Sequence, residues 1–179
     1  MEHETIEYKG YKIKIMPDEY SENPFDYQDG MGRISFHPKS DYICSDEPDY
    51  MTAMEHKFAV TLDAYIHGGI VLSVAGEGYQ CRWDTSTSIA IWTPDDCLEV
   101  KTWADAVKYA KQACELYNQW ANGSVYYYLI ETDAGERFSC GGFYGYDHNE
   151  SGLLESAQED IDCYIKEVKQ GLAQFHALA

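Results

Sequence analysis

The residues that could act together chemically in this chain are a cysteine, a histidine and an aspartate close in sequence: Cys81, His67 and Asp84. If strands over 70–75 and 79–83 pair, His67 meets Cys81 and Asp84 can orient the imidazole, the order a cysteine nucleophile needs. The same cysteine is also what a packed strand would contain. No helix N-terminus clearly follows to activate it, although Arg82 is adjacent. The other thiols, Cys44, Cys97, Cys114, Cys140 and Cys163, show no C-x-x-C spacing. They read as free, mostly buried thiols rather than disulfides or a zinc site. The six histidines, His3, His37, His56, His67, His148 and His176, contain no H-x-x-x-H or H-E-x-x-H pair. Asp26, Asp29 and Gly30 only faintly echo the D-x-D-x-D-G calcium loop. Cys140-Gly-Gly-Phe-Tyr-Gly145 fits neither phosphate-binding glycine pattern and reads as a bulge or a close backbone approach. No metal, no cofactor and no catalytic residue set is therefore expected. An enzyme built on Cys81 and His67 stays as an alternative.

The elements that must position these residues follow from periodicity. Residues 6–15 alternate apolar and polar or basic side chains, a strand with one wet face, broken or turned at Gly10 and ended by Pro17. Acidic loops over 17–30 and 38–50 flank a short strand at 33–37. A short helix is expected over 50–57. Residues 58–66 fit strand or helix equally. Strands are expected at 70–75, 79–83 and 88–93, with Gly76-Glu77-Gly78 as a turn.

Helix is expected over 103–121, capped by Thr102 with Asp105 completing a capping box and closed by Asn122-Gly123. Trp103, Val107, Ala110, Cys114, Tyr117 and Ala121 form its apolar stripe. Residues 124–131 and 136–140 make a hairpin turned at Ala134-Gly135. A last helix over 152–170 is capped by Ser151 and buries Leu154, Ala157, Ile161, Tyr164, Ile165 and Val168. No repeat or linker interrupts the chain. The fold class is α+β: a single domain over 1–179, with a mainly antiparallel sheet and the two longer helices packed on one side.

Several stretches resemble a family of small acidic proteins encoded by phages and other bacterial mobile elements. They are Asp18-Glu19-Tyr20-Ser21-Glu22-Asn23-Pro24 with Gly30-Met31-Gly32 and Phe36-His37, then Ala64-Tyr65-Ile66-His67-Gly68-Gly69-Ile70. Gln80-Cys81-Arg82-Trp83-Asp84-Thr85-Ser86 carries the most specific piece, C-x-W-D. Tyr117-Asn118-Gln119-Trp120, Gly123-Ser124-Val125-Tyr126 and Gly142-Phe143-Tyr144-Gly145 follow. The match spans roughly residues 8–165. It departs at Arg82, where such proteins often carry proline, and lacks their basic pair after Phe36-His37. The resemblance implies a mobile-element origin and brings no catalytic mechanism with it.

Charge gives that origin a use. The chain carries 31 Asp and Glu against 13 Lys and Arg, a formal charge of −18 over 179 residues. Direct nucleic-acid binding needs a basic face, and anionic membranes repel such a chain. No apolar run approaches the roughly 20 residues of a membrane span. The acidic start Met1-Glu2-His3-Glu4 lacks the features of a signal peptide, so a cytoplasmic location in a bacterial host is expected. At one charge per ~1.7 Å of duplex, eighteen charges match about 30 Å of DNA.

The acids concentrate at Asp18, Glu19, Glu22, Asp26 and Asp29, at Asp41, Asp46, Glu47 and Asp49, and on one helix face at Glu155, Glu159 and Asp162. These twelve are the expected partner-binding residues. The partner is a basic surface of a host protein or nucleoprotein complex. The expected function is non-enzymatic inhibition of a host defence nuclease, as an anti-CRISPR or anti-restriction protein acting through DNA mimicry. An accessory protein in assembly or regulation, working through protein contacts, is the alternative. Tyr20, Phe25, Tyr27, Tyr42 and Tyr50 lie among the acids and either pin the loops or line an interface.

Overall fold

The structure, a computed structural model, describes residues 4–38, 50–132 and 135–178, with side chains described through Gln170. The fold class is α+β, and the described residues form eight strands in two antiparallel four-stranded sheets. The chain forms two compact units, Met1–Ser21 with Gly123–Ala179, and Glu22–Asn122. Each contains one sheet and one of the two longer helices.

In the first unit, β1 (Glu4–Tyr8) and β2 (Tyr11–Pro17) form a hairpin. Lys9 and Gly10 turn it, both at positive φ. A two-residue turn of this hand matches the twist of the strands it joins, and glycine adopts it without steric cost. β2 pairs with β7 (Val125–Glu131), and β7 with β8 (Arg137–Tyr144), in the order β1-β2-β7-β8. Asp133 and Ala134, in the expected hairpin turn, lie outside the described residues.

β8 runs four residues past its expected end. It contains a register shift opposite Tyr126–Tyr128, with Gly142 at φ +81°. That is the expected bulge in the glycine stretch. Alternation puts Ile13, Ile15, Tyr128 and Ile130 on one face, where Leu153, Ala157 and Ile161 of helix α3 (Leu153–Leu178) cover them. Leu153, rather than Leu154, is fully buried, and Val168 is exposed. Ser151 does not cap the helix: its hydroxyl is buried without a hydrogen-bond partner, and the amide of Leu154 donates to the carbonyl of His148.

In the second unit the order is β3-β6-β4-β5, from β3 (Arg33–Phe36), β4 (Val60–Ile66), β5 (Ile70–Val74) and β6 (Thr85–Thr93). The segment that fitted either helix or strand is β4, with Val60, Leu62 and Ala64 buried on one face. Residues 79–83, expected as a strand, form a loop instead, and Thr85–Thr93 is one strand rather than the end of a pair. Helix α2 (Trp103–Ala121) has the expected bounds and the expected reciprocal cap: the Asp105 amide donates to the Thr102 hydroxyl, and the Thr102 amide donates to the Asp105 carboxylate.

The buried stripe of α2 is Ala106, Ala110, Ala113, Cys114 and Tyr117. Small residues at these positions let the helix lie close to β4 and β5. Trp103, expected in the stripe, is 55% exposed. A short helix α1 (Tyr50–Met54) covers Ile91 on the opposite face.

Candidate functional site

Two places follow from the sequence argument: the neighbourhood of Cys81 and the acidic segments. Asp63 organises the first. It lies on the face of β4 away from α2 and is 4% exposed, yet among the described residues its carboxylate has no ion-pair partner. It accepts the Gly76 amide at 2.9 Å, the Ser88 amide at 2.8 Å and the Gln80 side-chain amide at 3.5 Å. Ser88 stands at φ +54° beside the register shift between β4 and β6, which frees its amide from the ladder. Burying a carboxylate is costly unless such donors surround it. One side chain therefore holds both the bulge and the turn that starts the loop.

The loop is then closed by Thr85. Its hydroxyl donates to the Tyr79 carbonyl and accepts the Cys81 amide, each at 2.9 Å, and the Thr85 amide donates to the Cys81 carbonyl. Gly78 has no room for a side chain, since a Cβ there would fall 2.1 Å from the Ser73 hydroxyl.

This framework brings Cys81, Asp84 and His67 together with the aspartate in the middle. The Cys81 thiol donates to Asp84 Oδ2 at 3.4 Å, and His67 Nδ1 lies 3.6 Å from the same oxygen. A cysteine nucleophile is activated by an imidazole base or a cation beside the sulfur. Here a carboxylate oxygen occupies that place. His67 instead stacks on Tyr65, whose own ring meets Tyr79 edge-on at 5.0 Å. Burial and the Asp84 charge push the Tyr65 hydroxyl above its usual range. Gln80, Cys81, Arg82, Thr85 and Thr87 line an open cleft of about 330 Å³.

Among the described residues, no group of three or more His, Cys, Asp or Glu side chains is arranged to hold a metal ion. Nor is any helix long and apolar enough to cross a membrane. The thiols are less buried than expected. Cys97, Cys140 and Cys163 are exposed, Cys81 is half-buried and Cys114 alone among the described five is buried. Burial pushes the Cys114 thiol up to about 12. Cys44 lies outside the described residues.

The acidic residues divide between the units. Asp18, Glu19, Glu155, Glu159 and Asp162 belong to the first, and Glu22, Asp26 and Asp29 to the second. Asp41, Asp46, Glu47 and Asp49 lie outside the described residues, as does Tyr42. Glu19, Glu22, Asp26, Asp29, Glu155, Glu159 and Asp162 are exposed, and Asp18 is half-buried. Four are partly compensated, Asp26 by the Asn23 side-chain amide at 3.4 Å. Asp162 pairs with Lys9 at the β1–β2 turn and raises the lysine above its usual range. Asp29 lies 3.8 Å from Arg33, and Asp18 accepts the Tyr20 amide. Among the described residues, Glu19, Glu22, Asp26, Glu155 and Glu159 have no ion-pair partner.

Of the loop aromatics, Phe25 and Tyr50 are core, while Tyr20 and Tyr27 are exposed. Each unit also carries more acid than the named clusters. The first has 15 acids against 6 bases and the second 16 against 7, so each has a net charge of −9.

Three acids not singled out in the sequence, Asp63, Asp95 and Asp160, hold parts of the structure together. Asp95 Oδ2 accepts the amides of Gly30, Met31 and Gly32 at 2.8, 3.1 and 2.9 Å. Asp160 accepts the Tyr128 hydroxyl at 2.6 Å. Asp63 had a signal, a lone acid within the apolar run FAVTLDAYI. Asp95 had none, because its partners are backbone amides more than sixty residues away. A comparison with protein-family models, curated proteins and solved structures finds no match to the chain.

Proposed function

We propose that this chain is an acidic, non-enzymatic binding protein whose carboxylates occupy a basic, nucleic-acid-contacting surface of a partner complex. In the mobile-element setting that the resemblance implies, the partner is a host defence nuclease, an RNA-guided or a restriction complex. The reading rests on one observation: exposed carboxylates at Glu19, Glu22, Asp26, Glu155 and Glu159 with no ion-pair partner among the described residues, in units of net charge −9 each. Like charge left uncompensated costs folding free energy through self-repulsion. A basic partner converts that cost into attraction and a fast encounter.

The non-enzymatic form is supported by Cys81, whose thiol donates to the Asp84 carboxylate rather than to the His67 imidazole. Binding of the full chain to purified restriction and RNA-guided nuclease complexes, measured at low and high salt, tests the reading. Tight binding at low salt that falls steeply as salt rises, and that duplex DNA displaces, is expected. Replacing Glu155 and Glu159 together with Gln weakens it about tenfold. Absence of binding at low salt to every complex overturns it.

A further inference from the structure

Helix α3 reverses its sign along one face. Glu155, Glu159 and Asp162 follow that face, and Lys166 and Lys169 continue it four and seven residues beyond Asp162. Asp162, Ile165, Lys166, Lys169 and Gln170, together with Lys9 of the β1–β2 turn, line a cavity of about 560 Å³. Three of the six bases in this unit therefore converge on one place, although the unit carries 15 acids.

The acid in the lining does not neutralise the two lysines of α3. One Asp162 oxygen pairs with Lys9, and the other accepts the Tyr8 hydroxyl at 3.4 Å. The Lys9 ammonium also lies 4.8 Å from the Tyr8 ring centre, so this corner is held in place. Lys14 and Arg137 of the same unit are both taken up by Glu131. Lys166 and Lys169 have no ion-pair partner among the described residues. Glu167 stands one and two positions from them, a spacing that does not face either lysine on a helix. Like charges three residues apart weaken a helix, and an anion seated between them removes that repulsion.

Charge and size select the ligand. With Lys9 and Asp162 balancing each other, the lining keeps the two positive charges of Lys166 and Lys169, which match a phosphomonoester dianion. Lysine binds phosphate as a point charge. A bare phosphate ion fills a small fraction of this cavity, whose volume falls among those of small-molecule sites, about 300–1,000 Å³. Ile165 offers apolar surface to an organic group. A long polyanion is excluded, because Glu159 lies on the same face one turn from Asp162 and the unit has a net charge of −9. We infer that the cavity between the β1–β2 turn and α3 binds a small phosphorylated organic molecule, with Lys166 and Lys169 holding its phosphate. The inference does not rest on the proposed function, which concerns a macromolecular partner and the carboxylates of Glu155 and Glu159.

Calorimetric titration of the full chain at low salt with adenosine 5′-monophosphate, adenosine and inorganic phosphate is the test. The monophosphate is expected to bind one per chain, inorganic phosphate to compete for the same site about tenfold more weakly, and adenosine not to bind. Raising the salt weakens monophosphate binding. Lys166→Gln and Lys169→Gln together weaken it about thirtyfold, while Lys12→Gln, at an exposed lysine of β2 outside the cavity, leaves it unchanged. A chain that does not bind the monophosphate overturns the inference. So does adenosine binding as tightly as its phosphate, or inorganic phosphate binding as tightly as the monophosphate, which assigns the site to the free ion. A double variant that stays folded by circular dichroism and binds the monophosphate unchanged overturns it as well.

Discussion

Asp63 is a carboxylate inside an apolar strand, and its tolerance there depends on donors that a sequence cannot display. Two of the three are backbone amides, at Gly76 and at Ser88. Without Asp63 both amides, on the exposed residues Gly76 and Ser88, lose their charged acceptor. Asp63→Ala is expected to lower stability by about 3 kcal/mol in denaturant unfolding, and to loosen the loop that carries Trp83. Cys114 shows the opposite case, a titratable group with nothing to hold its charge. Its thiol is pushed up to about 12 from an ordinary 9.0. The unfolded chain ionises first as pH rises, so the stability this thiol contributes is intact below about pH 9 and is lost progressively up to about pH 12. Replacing Cys114 with Ala is expected to flatten that alkaline slope in unfolding midpoints measured across the range. The same substitution leaves a small cavity and lowers stability at neutral pH.

At the scale of elements, β5 is an edge strand, and α2 closes it in an unusual way. The Asn118 side chain accepts the Leu72 amide at 2.7 Å and donates to the Leu72 carbonyl at 2.9 Å. Asn122, one turn on, accepts the Ile70 amide at 3.1 Å and donates to its carbonyl at 2.7 Å. Two side-chain amides on one helix face thus imitate a neighbouring strand. An open edge invites pairing with other chains. Asn118→Ala removes both bonds to Leu72. The expected result is about 2 kcal/mol of destabilisation, with the Leu72 amide losing protection in hydrogen exchange. In the other sheet the bulge at Gly142 bends β8, another device that discourages edge pairing.

For the whole molecule, charge is the governing quantity, and it is divided equally. Each unit has a net charge of −9, so the acidity is not confined to two loops and one helix. A single decoy surface and a general acidic field make different demands on sequence. Neutralising Glu155 and Glu159 tests the first, and the salt dependence of partner binding tests both.

Local sequence determined much of what the structure contains. The bounds and cap of α2 were legible because a capping box and a 3.6-residue stripe act within one turn of the chain. The β1–β2 hairpin, the bulge at Gly142 and the helix over most of 153–170 were legible for the same reason. Residues 79–83 were misread because their alternation suits a strand, whereas hydrogen bonds from Thr85 and Asp63 hold them as a loop. Trp103 and Trp83 are alike in composition statistics, and only the paths of α2 and the loop expose them.

The Cys81, His67 and Asp84 set was found in the sequence, but its order in space was not. The aspartate stands between the other two because the loop places Asp84 beside both His67 and Cys81. Sequence determines what lies within reach along the chain: caps, turns, periodicity and total charge. The fold decides which distant backbone amides meet a carboxylate, and therefore which acids support the structure and which face solvent.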